Sequence, residues 1–390
     1  MLFTAASLAC AAAGSQTALI VGRASQGVGG AVVSAVGLSL IVTLFAELAE
    51  RARAMGVFSF VGSGGGTLGV LRGGALTDAL GWRSIFLINL PIGTAVLVLV
   101  PRLVERDATA SAERRLDVLG ATTVTGSVIL TILGCVKASS DGWRSITTLG
   151  LLAGGAATLV VFLAVEAHAV FPLMPFRLFR SRPLVAANVL AVLLRAALFS
   201  WFFFSALYMQ RVLGFSPLET GLGFLPATAV IGAFSYSLTA RIVGRVGVRA
   251  PFVAGTVLVA LGLGSFALAP PDGRYAADVL PGMLLVGVGG GLLFLPLILA
   301  ATASAAAEDA GIASGLVSAS QQLGGALGLA ALATVAASRT EHFRATKPPL
   351  TALTDGFHLA FVVGGALGLL AAAIGLVLLP SRPGDPLRTS

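Results

Sequence analysis

The residues that first point to chemistry are an arginine and a glutamine inside an apolar stretch. Arg23 is the only charged residue between Thr17 and Phe45, and Gln26 follows it with glycines on both sides. Taking a guanidinium out of water costs several kcal/mol unless a partner compensates for the lost hydration. Such an arginine either extends to the membrane surface or faces a polar interior and a partner. The residues alone leave both alternatives open.

The composition determines what kind of element carries Arg23. The 390 residues are 56% hydrophobic and 11% charged, with a mean hydropathy of +0.96. Soluble proteins carry about 25% charged residues, and a soluble fold of this length cannot hide so much apolar surface. The sequence therefore predicts an all-α polytopic membrane protein. Its net charge of +8 does not indicate a nucleic-acid partner.

About twelve apolar stretches are long enough to cross a bilayer, which takes about 20 helical residues. They are residues 2–20, 20–45, 54–76, 84–104, 117–137, 147–166, 183–208, 217–240, 250–269, 279–301, 312–337 and 355–379. If the N-terminus is cytoplasmic, most of the 25 arginines and lysines fall on the cytoplasmic side. The pattern predicts a multi-pass protein of a bacterial cytoplasmic (inner) membrane with both termini inside.

Catalytic and cofactor chemistry is not indicated. Cys10 and Cys135 stand alone in apolar stretches, without the spacing of a disulfide framework or a metal site. The glycine run at 62–66 does not lead into the Gly-Lys-Ser/Thr of a phosphate-binding loop. No Ser-His-Asp set or paired carboxylates stand out. We expect neither an enzyme nor a bound cofactor or metal.

The chain contains traces of an internal repeat. GVGGA at 27–31 recurs as GVGGG at 287–291, and the pair Gly56 and Gly69 is matched in the same order by Gly311 and Gly324. Ordered matches of this kind indicate two duplicated halves, an organisation typical of transporters. The alternative is that glycine-rich helices match one another by chance.

Two of these glycine-rich stretches resemble motifs of the proton antiporters of the major facilitator superfamily. GRASQGVGGA at 22–31 is similar to the fourth-helix motif R-x-x-Q-G-x-G-x-A, with Arg23, Gln26, Gly27, Gly29 and Ala31 as the matching residues. GGTLGVLRGG at 65–74 resembles the fifth-helix motif G-x-x-x-G-P-x-x-G-G through Gly65, Gly69, Gly73 and Gly74. Val70 stands where that motif has proline, so the bend expected there is weaker.

Four later stretches resemble the fourteen-helix drug:proton antiporter branch of that superfamily. They are ALGWRSIFLINLPIG (79–93), FPLMPFRLFRSR (171–182), LYMQRVLGFSPLETGLGFLP (207–226) and GIASGLVSASQQLGGALG (311–328). The resemblance implies the major facilitator fold with about twelve of its fourteen helices. It divides the chain into four helices of an N-terminal half (1–104), a linker with two inserted helices (105–182), a six-helix C-terminal half (183–380) and a cytoplasmic tail (381–390).

The resemblance also implies a function, namely proton-coupled efflux of small amphipathic drugs or secondary metabolites by a monomer in the lipid bilayer. Arg23, Gln26 and Arg195 are the expected coupling and cavity residues, and Arg195 either lines the cavity or pairs with a polar group such as Asn188. Gly65, Gly69 and Gly73 share one helix face, which favours close helix packing. Together with Gly74 they are expected to form a moving interface, or alternatively a static one.

Two departures from the family keep other functions open. Proton antiport generally uses a buried carboxylate, but none of the 17 acidic residues lies in the middle of a predicted span, and Asp117 and Glu166 lie at span ends. The resemblance places Met1 at the start of the family's third helix, so we expect a misassigned start codon or a shortened gene. The alternatives are a non-transporting membrane remnant and a facilitator without proton coupling.

Overall fold

The computed structural model describes residues 1–45, 54, 57, 61, 65, 69, 72–103, 117–169, 172–174, 176–302 and 310–381. These residues are mostly helical and include no strand. The helices are α1 Leu2–Ala11, α2 Gln16–Leu44, α3 72–80, α4 Ser84–Leu87, α5 Asn89–Leu103, α6 Val118–Asp141, α7 Ile146–His168, α8 Arg182–Leu207, α9 Pro217–Ala233, α10 Thr239–Val246, α11 Arg249–Phe266, α12 Leu280–Thr302, α13 Ala310–Arg344 and α14 Pro349–Leu378.

Membrane spans account for most of this helical structure. Within the described ranges, eight helical segments are long and apolar enough to cross a bilayer. They are Ser84–Arg102, Val118–Ala138, Ile146–His168, Arg182–Val212, Arg249–Phe266, Tyr275–Ala300, Gly315–Arg344 and Pro349–Leu378. Each overlaps a predicted span, and the predicted all-α polytopic fold is confirmed. The predicted span 217–240 is a longer helical run, in which a π-helical turn at Phe234–Leu238 joins α9 to α10.

The prediction for the N-terminal span, residues 2–20, is wrong in its boundary. Helix α1 ends at Ala11, and α2 begins at Gln16 after a short turn. Ser15 caps the new helix, because its Oγ accepts a hydrogen bond from Ala18 N at 3.2 Å. Ten residues of helix cover about 15 Å, half the thickness of the hydrocarbon core. Arg23 therefore lies about two turns inside α2 rather than at the edge of a span.

Of the predicted span 54–76, the structure describes positions 54, 57, 61, 65 and 69 and residues 72–76, and all of them are helical. The other positions of that span lie outside the described residues, as does most of the predicted tail 381–390.

The chain divides into two compact units. The first contains Met1–Arg114 and Phe215–Leu225, and the second contains Arg115–Gly214 and Pro226–Ser390. The boundary thus passes through α9 at Pro226, where the helix lacks one backbone N–H donor. The two helices predicted as an insertion, α6 and α7, belong to the second unit. There Ser127 Oγ on α6 donates to Gly155 O on α7 at 2.8 Å, and Thr334 Oγ1 on α13 donates to Cys135 O at 3.2 Å.

Glycines allow the closest helix pairs in both units. In the first unit a Cβ on Gly29 of α2 would lie 2.5 Å from Phe3 N of α1. In the second unit a Cβ on Gly289 of α12 would lie 2.5 Å from Gly255 O of α11. Gly29 and Gly289 occupy the same place in the GVGG repeat, so the duplicated stretch makes the same kind of contact with its preceding helix twice. This agreement supports the predicted duplication.

Candidate functional site

The predicted pair of Arg23 and Gln26 belongs to a hydrogen-bonded network that joins α2 to α1. Arg23 Nη1 donates to Gln26 Oε1 at 2.7 Å, and Gln26 Nε2 donates to Ser7 Oγ at 2.7 Å. Ser7 Oγ in turn donates to Phe3 O at 2.7 Å. Gln26 is 4% exposed and Ser7 is fully buried. The network orients the Gln26 amide, which leaves its carbonyl oxygen directed at the guanidinium.

Local packing explains why so short a side chain as Ser7 can reach across to α2. Gly29 lets the α1 backbone approach within contact distance of α2. A Cβ on Gly22 would lie 2.9 Å from Cys10 Sγ of α1, so this position also needs glycine's lack of a side chain. Arg83 holds the corner between the two helices, because its Nη2 donates to Ala13 O at 3.1 Å. Sequence reasoning missed Ser7, since one serine in an apolar helix carries no spacing signal.

The Arg23 guanidinium has neutral neighbours in the part of the chain that the structure describes. Its Cζ lies 5.7 Å from the centroid of the Phe86 ring, a cation–π contact, and no described carboxylate pairs with it. Arg23 is exposed, unlike Gln26. A guanidinium has five N–H donors in a fixed fork, so most of them remain for another acceptor. The arrangement can hold an anionic or acceptor-rich group, or stabilise the ionised form of a nearby acid.

The matching GVGG stretch on α12 makes its close glycine contact without such a polar pair. When GVGGA at 27–31 is aligned with GVGGG at 287–291, Arg23 and Gln26 of α2 correspond to Met283 and Val286 of α12. Both are fully buried. Because the same glycine-mediated helix pair forms around apolar residues, Arg23 and Gln26 are additions to the packing rather than a requirement for it.

Arg195 lies in the second unit, on α8, and so is not part of the Arg23 network. Its Cζ lies 4.7 Å from the centroid of the Phe199 ring, and its Cγ lies 3.4 Å from the Cβ position of Gly325 on α13. Its Nε is buried and has no hydrogen-bond partner among the described atoms. A buried donor without a partner costs about 1–3 kcal/mol. The Nε–H of Arg195 could therefore bind an acceptor that the described residues do not supply.

The suggested partner of Arg195, Asn188, is engaged elsewhere. Asn188 Oδ1 accepts from Ser320 Oγ on α13 at 2.7 Å, and its Nδ2 donates to Leu184 O at 2.8 Å. No described hydrogen bond joins Arg195 to Asn188. The cavity alternative stays a prediction.

The predicted glycine interface divides into an open face and one close contact. No described atom lies within 4 Å of the Cβ positions of Gly65, Gly69 or Gly73. At Gly74, in contrast, a Cβ would lie 2.6 Å from Pro217 O at the start of α9. Asp78 Oδ2 supports this contact by accepting from Leu218 N at 3.1 Å. The start of α9 is thus attached to α3 within the first unit.

Apolar spanning helices around isolated, partly unpaired polar groups define a multi-pass helical membrane protein of the transporter class. The family model of the Major Facilitator Superfamily matches residues 1–329, and the chain belongs to this superfamily.

Several curated export and resistance proteins are similar over almost all of the chain. The cephamycin export protein CmcT of Amycolatopsis lactamdurans is 37% identical over 382 residues, covering 97% of this chain and 77% of the relative. The puromycin resistance protein pur8 of Streptomyces alboniger is 34% identical over 387 residues, covering 97% and 76%. The multidrug resistance protein Stp of Mycobacterium tuberculosis is 35% identical over 337 residues, covering 86% and 62%. The chain is therefore a membrane transporter rather than an enzyme.

The contact at Gly74 leads to a test with its neighbour as the matched control. Gly74→Ala places a methyl group against the Pro217 carbonyl, so α3 and the start of α9 must separate, whereas Gly73→Ala meets open space. We expect Gly74→Ala to lower the melting temperature of the detergent-purified protein and to reduce transport, while Gly73→Ala changes the melting temperature little. Equal melting temperatures for both variants would show that the close contact does not contribute to stability.

Proposed function

We propose that this transporter exports amphipathic, antibiotic-like molecules in exchange for protons by alternating access. The observation that carries the proposal is the charged network of Arg23, Gln26 and Ser7, since the matching stretch of α12 has the apolar Met283 and Val286 in place of Arg23 and Gln26. A charge retained in only one of two equivalent helix pairs is explained by function, because the packing does not require it. The names of the relatives, which refer to cephamycin export, puromycin resistance and multidrug resistance, agree with the substrate class.

Arg23 contributes to exchange through its permanent charge. An arginine does not release its proton at physiological pH, so it cannot carry the coupled proton itself. It can bind a substrate acceptor, or it can favour the ionised form of an acid in one conformation of the transport cycle. Gln26 keeps the guanidinium directed, since its own amide is fixed by Ser7.

Alternating access requires two bodies and a connection that bends. The chain has two compact units, and α9 belongs to both, with Pro226 at the boundary. A proline inside a helix removes one hydrogen bond of the helical ladder and permits a kink. We propose that α9 bends at Pro226 during transport while Gly74 keeps its start attached to α3. We also propose that the protein acts as a monomer, as the family resemblance implies. Both termini would lie in the cytoplasm, as the distribution of arginines predicts.

Arg195 is proposed as a substrate contact in the second unit. Its unpaired Nε and the adjacent Phe199 ring together suit a ligand that has both a hydrogen-bond acceptor and an apolar body. A substrate acceptor would pair the buried donor that the protein leaves free.

The first experiment is gradient-driven efflux by Arg23→Met, which introduces the residue found in the second copy of the repeat. Because Met283 packs in the equivalent place, we expect normal membrane abundance and an unchanged melting temperature. Efflux of puromycin or a cephamycin from energised cells should fall to the level of cells without the protein.

The matched control is Arg144→Met, which removes an exposed arginine from the loop between α6 and α7. It should export like the unchanged protein. Full efflux by Arg23→Met would contradict the proposed role of Arg23. Efflux that persists in the unchanged protein after a protonophore collapses the gradient would instead favour an uncoupled facilitator, and no efflux by any version would favour a non-transporting protein.

Replacing Arg195 separates a role in binding from a role in stability. Arg195→Met removes a buried donor without a partner and keeps the volume beside Phe199, so the melting temperature should stay the same or rise. The KM for exported substrate should rise, because the proposed substrate contact is lost. A lower melting temperature together with an unchanged KM would show that Arg195 is structural.

A further inference from the structure

Arg195 places a positive charge near the middle of a spanning helix. It lies about 18–20 Å along the helix axis from either end of the predicted span 183–208, within the apolar helical run Arg182–Val212. An arginine side chain is too short to cover that distance, so the guanidinium does not reach the headgroup layer by extending along the helix. A charge at this depth needs a partner in the protein or in its ligand.

The helices around α8 do not supply that partner. Helices α11, α12, α13 and α14 pack against α8, and together they contain two acidic residues, Glu341 and Asp355. Both are already in ion pairs: Glu341 Oε2 lies 3.2 Å from Arg344 Nη1, and Asp355 Oδ2 lies 2.5 Å from Lys347 Nζ. The carboxylates of these four helices therefore leave the charge of Arg195 uncompensated.

Close helix packing holds the Arg195 side chain in place. One turn before it on α8, the carbonyl oxygen of Val192 lies where a Cβ on Gly324 of α13 would be. The Cγ of Arg195 lies 3.4 Å from the Cβ position of Gly325, and its Cζ lies 4.7 Å from the centroid of the Phe199 ring. The stem thus packs on α13 while the guanidinium contacts an aromatic ring. A donor that is positioned before a ligand arrives loses less conformational entropy when the ligand binds.

The free donors of this guanidinium favour an anionic ligand. The Nε of Arg195 is buried and has no hydrogen-bond partner among the described atoms. Nε and one Nη form an edge of the guanidinium fork, and their two N–H groups match the two oxygens of a carboxylate. A neutral carbonyl would accept a hydrogen bond but leave the charge uncompensated, whereas a carboxylate satisfies both requirements.

We propose that Arg195 selects substrates that carry a carboxylate next to an aromatic or other apolar body. The carboxylate binds the Nε edge of the guanidinium, and the apolar body packs on the exposed part of the Phe199 ring, a residue that is 39% exposed. This inference rests on the proposed substrate contact at Arg195 and adds the charge of the substrate. Amphipathic anions are therefore bound in preference to neutral molecules of the same shape.

The test compares two probes that differ mainly in charge, namely a cephem carboxylic acid and its primary amide. Their equilibrium binding to the purified full chain in lipid nanodiscs is measured at neutral pH without any gradient, and binding to empty nanodiscs is subtracted. The acid should bind at least about tenfold more tightly than the amide, because hydrogen bonds between two charged groups are about twice as strong as neutral ones.

Three variants assign this preference to one side chain. Arg195→Gln keeps a hydrogen-bond donor but removes the charge, so the acid should bind no more tightly than the amide. Arg195→Lys keeps the charge but lacks the Nε–H edge, so it should retain only part of the preference. The matched control Arg144→Gln removes an exposed arginine from the loop between α6 and α7 and should retain all of it. Melting temperatures show whether each variant is folded.

Equal affinities for the acid and the amide in the unchanged protein would overturn the selection of anions, and so would a full preference in folded Arg195→Gln. Neither result bears on whether the protein exports substrate, which is measured by transport. If the unchanged protein forms no substrate gradient in liposomes, the proposed export fails, and the binding comparison still decides the charge preference at Arg195.

Discussion

The candidate site depends on how the positive charge of Arg23 is accommodated on an apolar helix. An arginine at the centre of a spanning helix costs about 2.5–3.5 kcal/mol on insertion scales. This is an upper bound for Arg23, which is exposed and lies about two turns inside α2. A hydrogen bond to a charged group returns about 1.5–3 kcal/mol, and an aromatic face contributes about 0.5–2 kcal/mol. The bond from Arg23 to Gln26 and the face of Phe86 are together of the size needed to offset this cost. The charge is therefore held in place while most of its donors stay free.

This accommodation requires a chain of neighbouring features. Gln26 can be directed only because Ser7 fixes its amide, and Ser7 reaches it only because Gly29 lets the α1 backbone approach. The second copy of the repeat has the glycine contact but lacks the polar residues. The glycine contact is thus common to both helix pairs, whereas the charged site belongs to the pair of α1 and α2. Arg195 is a further polar group on an apolar helix, and its Nε has no described hydrogen-bond partner.

Hydropathy and length predicted most of the fold, because crossing a bilayer takes about 20 apolar residues and leaves a strong signal. The boundary near residue 12 was missed, since a turn rich in alanine hardly interrupts an apolar stretch and only Gly14 and Ser15 mark it. The proximity of Arg23 and Gln26 follows from their helical spacing. The engagement of Ser7 depends on a contact between helices, which no local pattern in one sequence encodes.

The most direct measurement is substrate transport by the purified chain in liposomes across an imposed pH gradient. Exchange of substrate for protons predicts that liposomes with an acidic interior accumulate substrate above the external concentration as protons leave. Addition of a protonophore should return the internal concentration to the external one. Equal internal and external concentrations with and without the gradient would contradict proton coupling, since substrate would then cross the membrane without drawing on the proton gradient.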